Sequence, residues 1–98
     1  MFDVIVIGAG PAGMMAAGRS AELGNKTLLL EKTDSSGKKL LLSGNSRCNI
    51  TNSCESAEDF INNFSESGKF LRNAFSAFFN KELLRFFRKR GLDFKVEP

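Results

Sequence analysis

The chain has 98 residues, a formal charge of +3, ten phenylalanines and no histidine, tyrosine or tryptophan. That length suits one domain, burying roughly 60–70% of the surface its unfolded chain exposes; no run of about 20 apolar residues offers a membrane span, and two cysteines without histidine leave no metal set of the zinc type. Cys48 and Cys54 make no disulfide framework and the opening residues carry no basic leader, so a reduced, cytoplasmic protein is expected.

The first element is the apolar, β-branched run Phe2-Asp-Val-Ile-Val-Ile-Gly8, which predicts a buried strand of a parallel sheet. A helix follows from Pro11 to Leu23: proline suits the first turn, where a missing N–H costs nothing, and Gly24 suits the stop. Lys26-Thr-Leu-Leu-Leu-Glu-Lys32 predicts a second buried strand. Strand, helix and strand within about 30 residues make a βαβ crossover. Thr33 to Gly37 read as a turn, and the Lys38-Lys39-Leu-Leu-Leu stretch as a short helix. A polar loop then runs to Cys54.

Beyond it, Ser56 with Glu58 and Asp59 predicts a capped helix carrying Phe60, Ile61 and Phe64 on one side. Phe70, Leu71, Ala74, Phe75 and Phe78 recur at helical spacing. Asn80 is placed to cap a further helix with Leu83, Leu84 and Phe87 inward and Gly91 at its end. Leu92 to Pro98 reads as a terminal strand. Nine of the ten phenylalanines lie between Phe60 and Phe94, a stripe that a helical hairpin needs for packing. Five of the fourteen lysines and arginines lie between Lys81 and Arg90. A solvated basic helix accounts for them, and a nucleic-acid surface is the alternative.

The segment Gly8-Ala-Gly10-Pro11-Ala12-Gly13 joins the first strand to the first helix. Gly8 permits the tight turn, Gly10 lets a pyrophosphate approach the backbone, and Gly13 lets the helix lie close to the sheet, helped by the small Ala17. The helix N-terminus directs N–H groups and a positive dipole end at phosphate. Glu31 ends the second strand 23 positions after Gly8, where a carboxylate accepts from ribose hydroxyls and repels a 2′-phosphate. These features suit the adenosine diphosphate portion of FAD or NAD alike.

The loop Gly37-Lys-Lys39-Leu-Leu-Leu-Ser43-Gly44-Asn45-Ser46-Arg47-Cys48-Asn49-Ile-Thr51-Asn52 is more distinctive. Arg47 and Lys39 can neutralise phosphate, Asn49 and Asn52 can donate and accept, and the backbone around Gly44 can form an anion-binding concavity. A surface loop with local asparagine turns is the other reading. With the glycine turn and the Leu-Leu-Leu-Glu-Lys run, this segment resembles the N-terminal part of a bacterial and archaeal flavoprotein family. Its members are known as NAD(P)/FAD-dependent oxidoreductases, of aminoacetone-oxidase-like and bile-acid-intermediate-reductase-like type. Gly37, Lys38, Lys39, Ser43, Gly44, Arg47, Cys48, Asn49, Thr51 and Asn52 match the family's signature. Asn45 and Ser46 stand where glycines are usual; asparagine tolerates left-handed backbone angles, so Ser46 is the sharper departure.

The resemblance implies an α/β fold: a Rossmann-like FAD-binding βαβ unit over residues 1–36, a flavin-contacting loop over 37–54, and a Phe-rich helical segment with a terminal strand over 55–98. The sheet is incomplete and no substrate domain is present, so a fragment is implied. The implied cofactor is FAD, held by Gly8, Gly10, Pro11, Ala12, Gly13, Glu31, Lys32, Lys39, Ser43, Gly44, Arg47, Cys48, Asn49 and Asn52. Cys48 and Cys54 lack the Cys-x-x-Cys spacing of disulfide oxidoreductases, and structural thiols are expected. The implied function is the FAD-binding portion of a flavin-dependent oxidoreductase, inactive alone, with a small-molecule substrate and an NAD(P)H donor. Neither a nucleic acid nor a membrane is expected as partner. The alternative is a stand-alone nucleotide-binding module or subunit completed by a partner chain.

Overall fold

The continuous β-branched run Val4–Ile7 forms β1, and its exposure alternates between two faces. It pairs in parallel with β2, Thr27–Leu30, in the register Val4 to Thr27 and Ile7 to Leu30. The structure is a computed structural model that describes residues 1–42 and 49–96. The chain divides into two units, Met1–Asn49 and Ile50–Pro98.

In the first unit, α1, Pro11–Glu22, crosses between the two strands with proline in its first turn. It ends one residue before the predicted limit. Gly24 takes a positive φ of 93°, which lets Asn25 N–H donate to Ser20 O (3.2 Å) and Gly24 N–H to Ala21 O (3.0 Å). This is the closure expected of a glycine just past a helix end. A hydroxyl pair, Ser20 Oγ to Thr27 Oγ1 at 2.9 Å, joins α1 to the start of β2. The sheet is covered on one face. Val4 and Val6 are half-buried, Val6 on the side of α1, while Ile5 and Ile7 are 56% and 84% exposed on the other. A parallel sheet is normally covered on both faces; here the second face is open, as the incomplete sheet predicted. The short α2, Lys38–Leu42, follows the turn.

In the second unit, α3 is Ala57–Asn62, and Ser56 Oγ accepts from Asp59 N–H (3.3 Å) as the cap predicted. A 3₁₀ helix, Glu66–Leu71, leads into α4, Arg72–Ala77, and then α5, Asn80–Arg88. Ile61 is buried, 4% exposed, against Gly68, and its sequence neighbour Phe60 belongs to a cluster of rings. Phe60 meets Phe75 and Phe79 edge-on, each with centroids 5.4 Å apart, and Phe64 at 5.6 Å. Edge-to-face pairs of this kind are worth about 0.5–1.5 kcal/mol beyond their burial.

Three expectations are corrected in this unit. Phe70 is 88% exposed instead of facing inward. It sits in the 3₁₀ segment, which turns about 120° per residue instead of about 100°, so an α-helical spacing no longer keeps one face. Asn80 does not cap α5. Phe79 is the N-cap, and its N–H donates to the Glu82 carboxylate (3.1 Å). Leu92 to Val96 forms no strand. A strand exists only where an edge receives it, and here Phe94 instead lies under the Arg88 guanidinium, 4.5 Å from its ring centroid. Gly91 does end the helix turn, with φ 86° and Leu92 N–H donating to Phe87 O (3.1 Å). Among the described residues no helix is long and apolar enough to cross a membrane.

Candidate cofactor site

Ala9 is the centre of the site in the first unit, and it is 1% exposed. It lies in the glycine turn between β1 and α1. Its N–H donates to Glu31 Oε1 at 2.9 Å, and its carbonyl accepts from Gly37 N–H at 2.8 Å. One residue thus ties the turn to the end of β2 and to the entry of the Lys38–Leu42 helix. Gly8 continues the sheet, its N–H donating to Leu30 O at 2.7 Å, and then turns with φ 100°. That angle is what the predicted tight turn requires of glycine.

The two remaining glycines separate cleanly. A Cβ on Gly13 would lie 1.7 Å from Gly8 O and 3.6 Å from Val6 Cγ1, so helix and strand are in contact there. A Cβ on Gly10 would meet nothing within 4 Å. The space in front of Gly10, beside the N-terminus of α1, is an open cradle. Gly10, Pro11 and Ala12 are exposed, and α1 has neither a side-chain cap nor an acidic residue in its first turn. A helix terminus in that state presents N–H groups to an anion. Beside it an open cleft of about 330 Å³ is lined by Ile7, Gly8, Leu30, Glu31 and Lys32. It lies at the carboxyl ends of both strands, where ligands of open α/β sheets bind. These residues fit an adenosine diphosphate.

Glu31 is the charged group of this cleft with the strongest local support. Besides Ala9, its Oε2 accepts from Thr33 N–H (2.9 Å) and Thr33 Oγ1 (2.7 Å). The Thr33 hydroxyl, then the Ala9 and Thr33 N–H groups, hold the carboxyl at about 2, below the ordinary 4.5, and Lys32 adds to the effect while partial burial opposes it. The pKa is depressed on folding, so the stabilisation is present above about 4.5 and is lost as pH falls through about 2. A carbon-13 carboxyl titration is expected to show Glu31 still ionised at pH 3.5. A midpoint near 4.5 would show that the Ala9 and Thr33 bonds do not hold it in solution.

Of the loop residues, Lys39 is exposed on α2, and Asn49 is exposed at the end of the first unit. Ser43, Gly44, Arg47 and Cys48 lie outside the described residues. Asn52 belongs to the second unit, where its Oδ1 accepts from Cys54 N–H at 3.0 Å in a local turn. Asn80 holds that segment: its Nδ2 donates to Asn52 O (3.2 Å) and Cys54 O (2.8 Å), and its Oδ1 accepts from Thr51 Oγ1 (2.6 Å). Cys54 is a free thiol that donates to Ser56 O at 3.3 Å. No group of three or more histidine, cysteine or acidic side chains that could hold a metal occurs among the described residues.

Sequence reasoning missed Ala9, Thr33 and the anchoring role of Asn80. A threonine two places after an acid was a visible turn signal. Ala9 acts only through its backbone, and Asn80 reaches 28 positions back; neither has a local signature.

A glycine turn, an acid fastened to it and a cleft at the strand ends are the features of a nucleotide-binding module of the Rossmann class. The chain belongs to the HI0933-like protein Rossmann domain family, which it matches over residues 2–98. The resemblance to an FAD-type flavoprotein oxidoreductase family therefore holds, over residues 2–98. It is similar to the ribosomal RNA dihydrouridine synthase of Escherichia coli (32% identity over 91 residues, 93% of this chain and 22% of that protein). It is also similar to the 3-dehydro-bile acid delta(4,6)-reductase of Clostridium scindens (36% over 89 residues, 89% of this chain and 21% of that protein). A shorter stretch is similar to the digeranylgeranylglycerophospholipid reductase of Methanocaldococcus jannaschii (53% over 38 residues, 39% and 10%). The chain spans about a fifth of the length of the first two.

Proposed function

We propose that the chain is the FAD-binding N-terminal portion of a cytoplasmic flavin-dependent oxidoreductase, without turnover by itself. The observation that carries this is the Glu31 carboxylate fastened to the glycine turn at 2.9 Å in a chain of this Rossmann family. Gly10 and the N-terminus of α1 would receive the pyrophosphate, and Glu31 a ribose hydroxyl. When bound, FAD supplies the electron and hydride chemistry. The resemblance supports phosphate neutralisation by Lys39 and Arg47 and a flavin contact for Asn49.

By their names, the relatives act on ribosomal RNA, a bile acid and a phospholipid. Substrates so unlike one another support a shared role in nucleotide binding for the stretch the relatives have in common, with substrate choice made elsewhere. We assign substrate choice to residues outside this chain, with a small molecule as substrate and NAD(P)H as donor. The basic end of α5 is read as solvated and self-stacked, Arg88 over Phe94 and Arg90 3.5 Å from the Phe86 ring centroid, not as a nucleic-acid surface. The open face bearing Ile5 and Ile7 favours a second reading, in which a partner chain completes the sheet.

Calorimetric titration of the full-length protein with FAD and with NAD tests the cofactor. FAD is expected to bind and NAD not to displace it, and Glu31→Ala should weaken FAD by about ten- to a hundredfold. Tighter binding of NAD than of FAD would overturn the flavin reading, and unchanged affinity in Glu31→Ala would remove Glu31 from the ribose role.

A further inference from the structure

Resting on that reading, we propose that Thr33 is the positioning residue of the ribose site, holding the Glu31 carboxylate so that Oε1 is kept open for one hydroxyl of the nucleotide. A carboxylate has about four lone-pair positions, two on each oxygen. Oε2 accepts from both Thr33 N–H (2.9 Å) and Thr33 Oγ1 (2.7 Å), which fills it. Oε1 accepts from Ala9 N–H (2.9 Å) and keeps one position.

The Thr33 hydroxyl has a single proton and lies near two acceptors, Glu31 Oε2 and, at 3.0 Å, Ser35 O. Were the proton directed at Ser35, hydroxyl lone pairs would face an anionic oxygen at 2.7 Å. That arrangement is repulsive, so the proton points at Glu31 and the bond is charge-assisted. The result is a carboxylate gripped at one oxygen by its own chain two residues on and at the other by the glycine turn. Its rotation about the terminal torsion, otherwise broad, is fixed before any nucleotide arrives. The order lost on binding is correspondingly small, the usual benefit of preorganisation. The fixed geometry also offers one acceptor instead of two, so one ribose hydroxyl, not the pair, carries the interaction.

The test uses flavin-free full-length protein, with adenosine diphosphate and its 2′,3′-dideoxy analogue as probes, by calorimetry. Thr33→Val keeps the shape and the backbone N–H and removes the hydroxyl. It is expected to weaken adenosine diphosphate by about fivefold, the size of one lost hydrogen bond, and to leave the dideoxy analogue unchanged. Thr33→Ser is expected to restore binding to within about twofold. A Thr33→Val variant that weakens both probes equally, or neither, overturns the role of Thr33 while leaving the FAD site standing. Wild-type protein that binds neither FAD nor adenosine diphosphate overturns both.

Discussion

Gly13→Ala is expected to destabilise the first unit strongly. The new Cβ would lie 1.7 Å from Gly8 O and 2.9 Å from Gly8 C, both backbone atoms. Side chains at a tight contact can rotate away, but this carbonyl is fixed on both sides. Gly8 N–H is bonded to Leu30 O at 2.7 Å, and Ala9 holds Glu31 and Gly37 through its own N–H and C=O. To relieve the clash, α1 must lift from β1, uncovering Ala17 and the half-buried Val4 and Val6. Overpacking typically costs about 1–3 kcal/mol, and more where nothing can yield. Domains hold only about 0.05–0.15 kcal/mol per residue, so a clash that neither backbone can relieve takes a large share of what a unit of this size has. Circular dichroism of Gly13→Ala should show a loss of α/β signal or a melting point more than about 10 °C lower. A melt within two or three degrees of the parent would mean that helix and strand are not in contact at Gly13.

The parts of the molecule that could be read in advance are those specified by neighbours in sequence. The βαβ unit is one: the strands are short continuous apolar runs, Pro11 opens α1 and Gly24 closes it within a residue of the predicted end. Ser56 is another, since a capping serine and the N–H that donates to it are three residues apart. The candidate site was legible as a set of residues, Gly8, Gly10, Gly13 and Glu31, because their spacing is set by the crossover. How Glu31 is held was not legible. Its bond to Ala9 spans 22 positions and uses a backbone N–H, a group every residue but proline carries. Leu92 to Val96 shows the same limit from the other side. Apolar alternation describes what a strand needs on its faces and says nothing of whether an edge is available to pair with it. Phe70 failed for a different reason, a local change of helix type that altered the period on which its inward placement depended.

Gly10→Ala should do the opposite of Gly13→Ala: leave the fold intact and remove the cofactor. Gly10 sits at φ −79° and ψ −173°, an extended conformation open to alanine. Its added Cβ would touch no protein atom within 4 Å, so stability should stay within about 0.5 kcal/mol of the parent. The same methyl would stand in the cradle before the uncapped N-terminus of α1, where we place the pyrophosphate. Phosphate oxygens reach helix N–H groups only by close approach, and a methyl in their path costs both packing and hydrogen bonds. A loss of about 1–3 kcal/mol corresponds to roughly ten- to a hundredfold in affinity for FAD. Flavin fluorescence during titration measures the affinity, and a thermal melt of the same sample without cofactor measures the fold. Unchanged FAD affinity in a well-folded Gly10→Ala protein would place the pyrophosphate away from this turn. A destabilised Gly10→Ala protein would show instead that the cradle is closed by protein atoms, and the glycine would then be structural like Gly13. Only a glycine turn that binds a pyrophosphate predicts both an intact melt and a lost ligand from one methyl group.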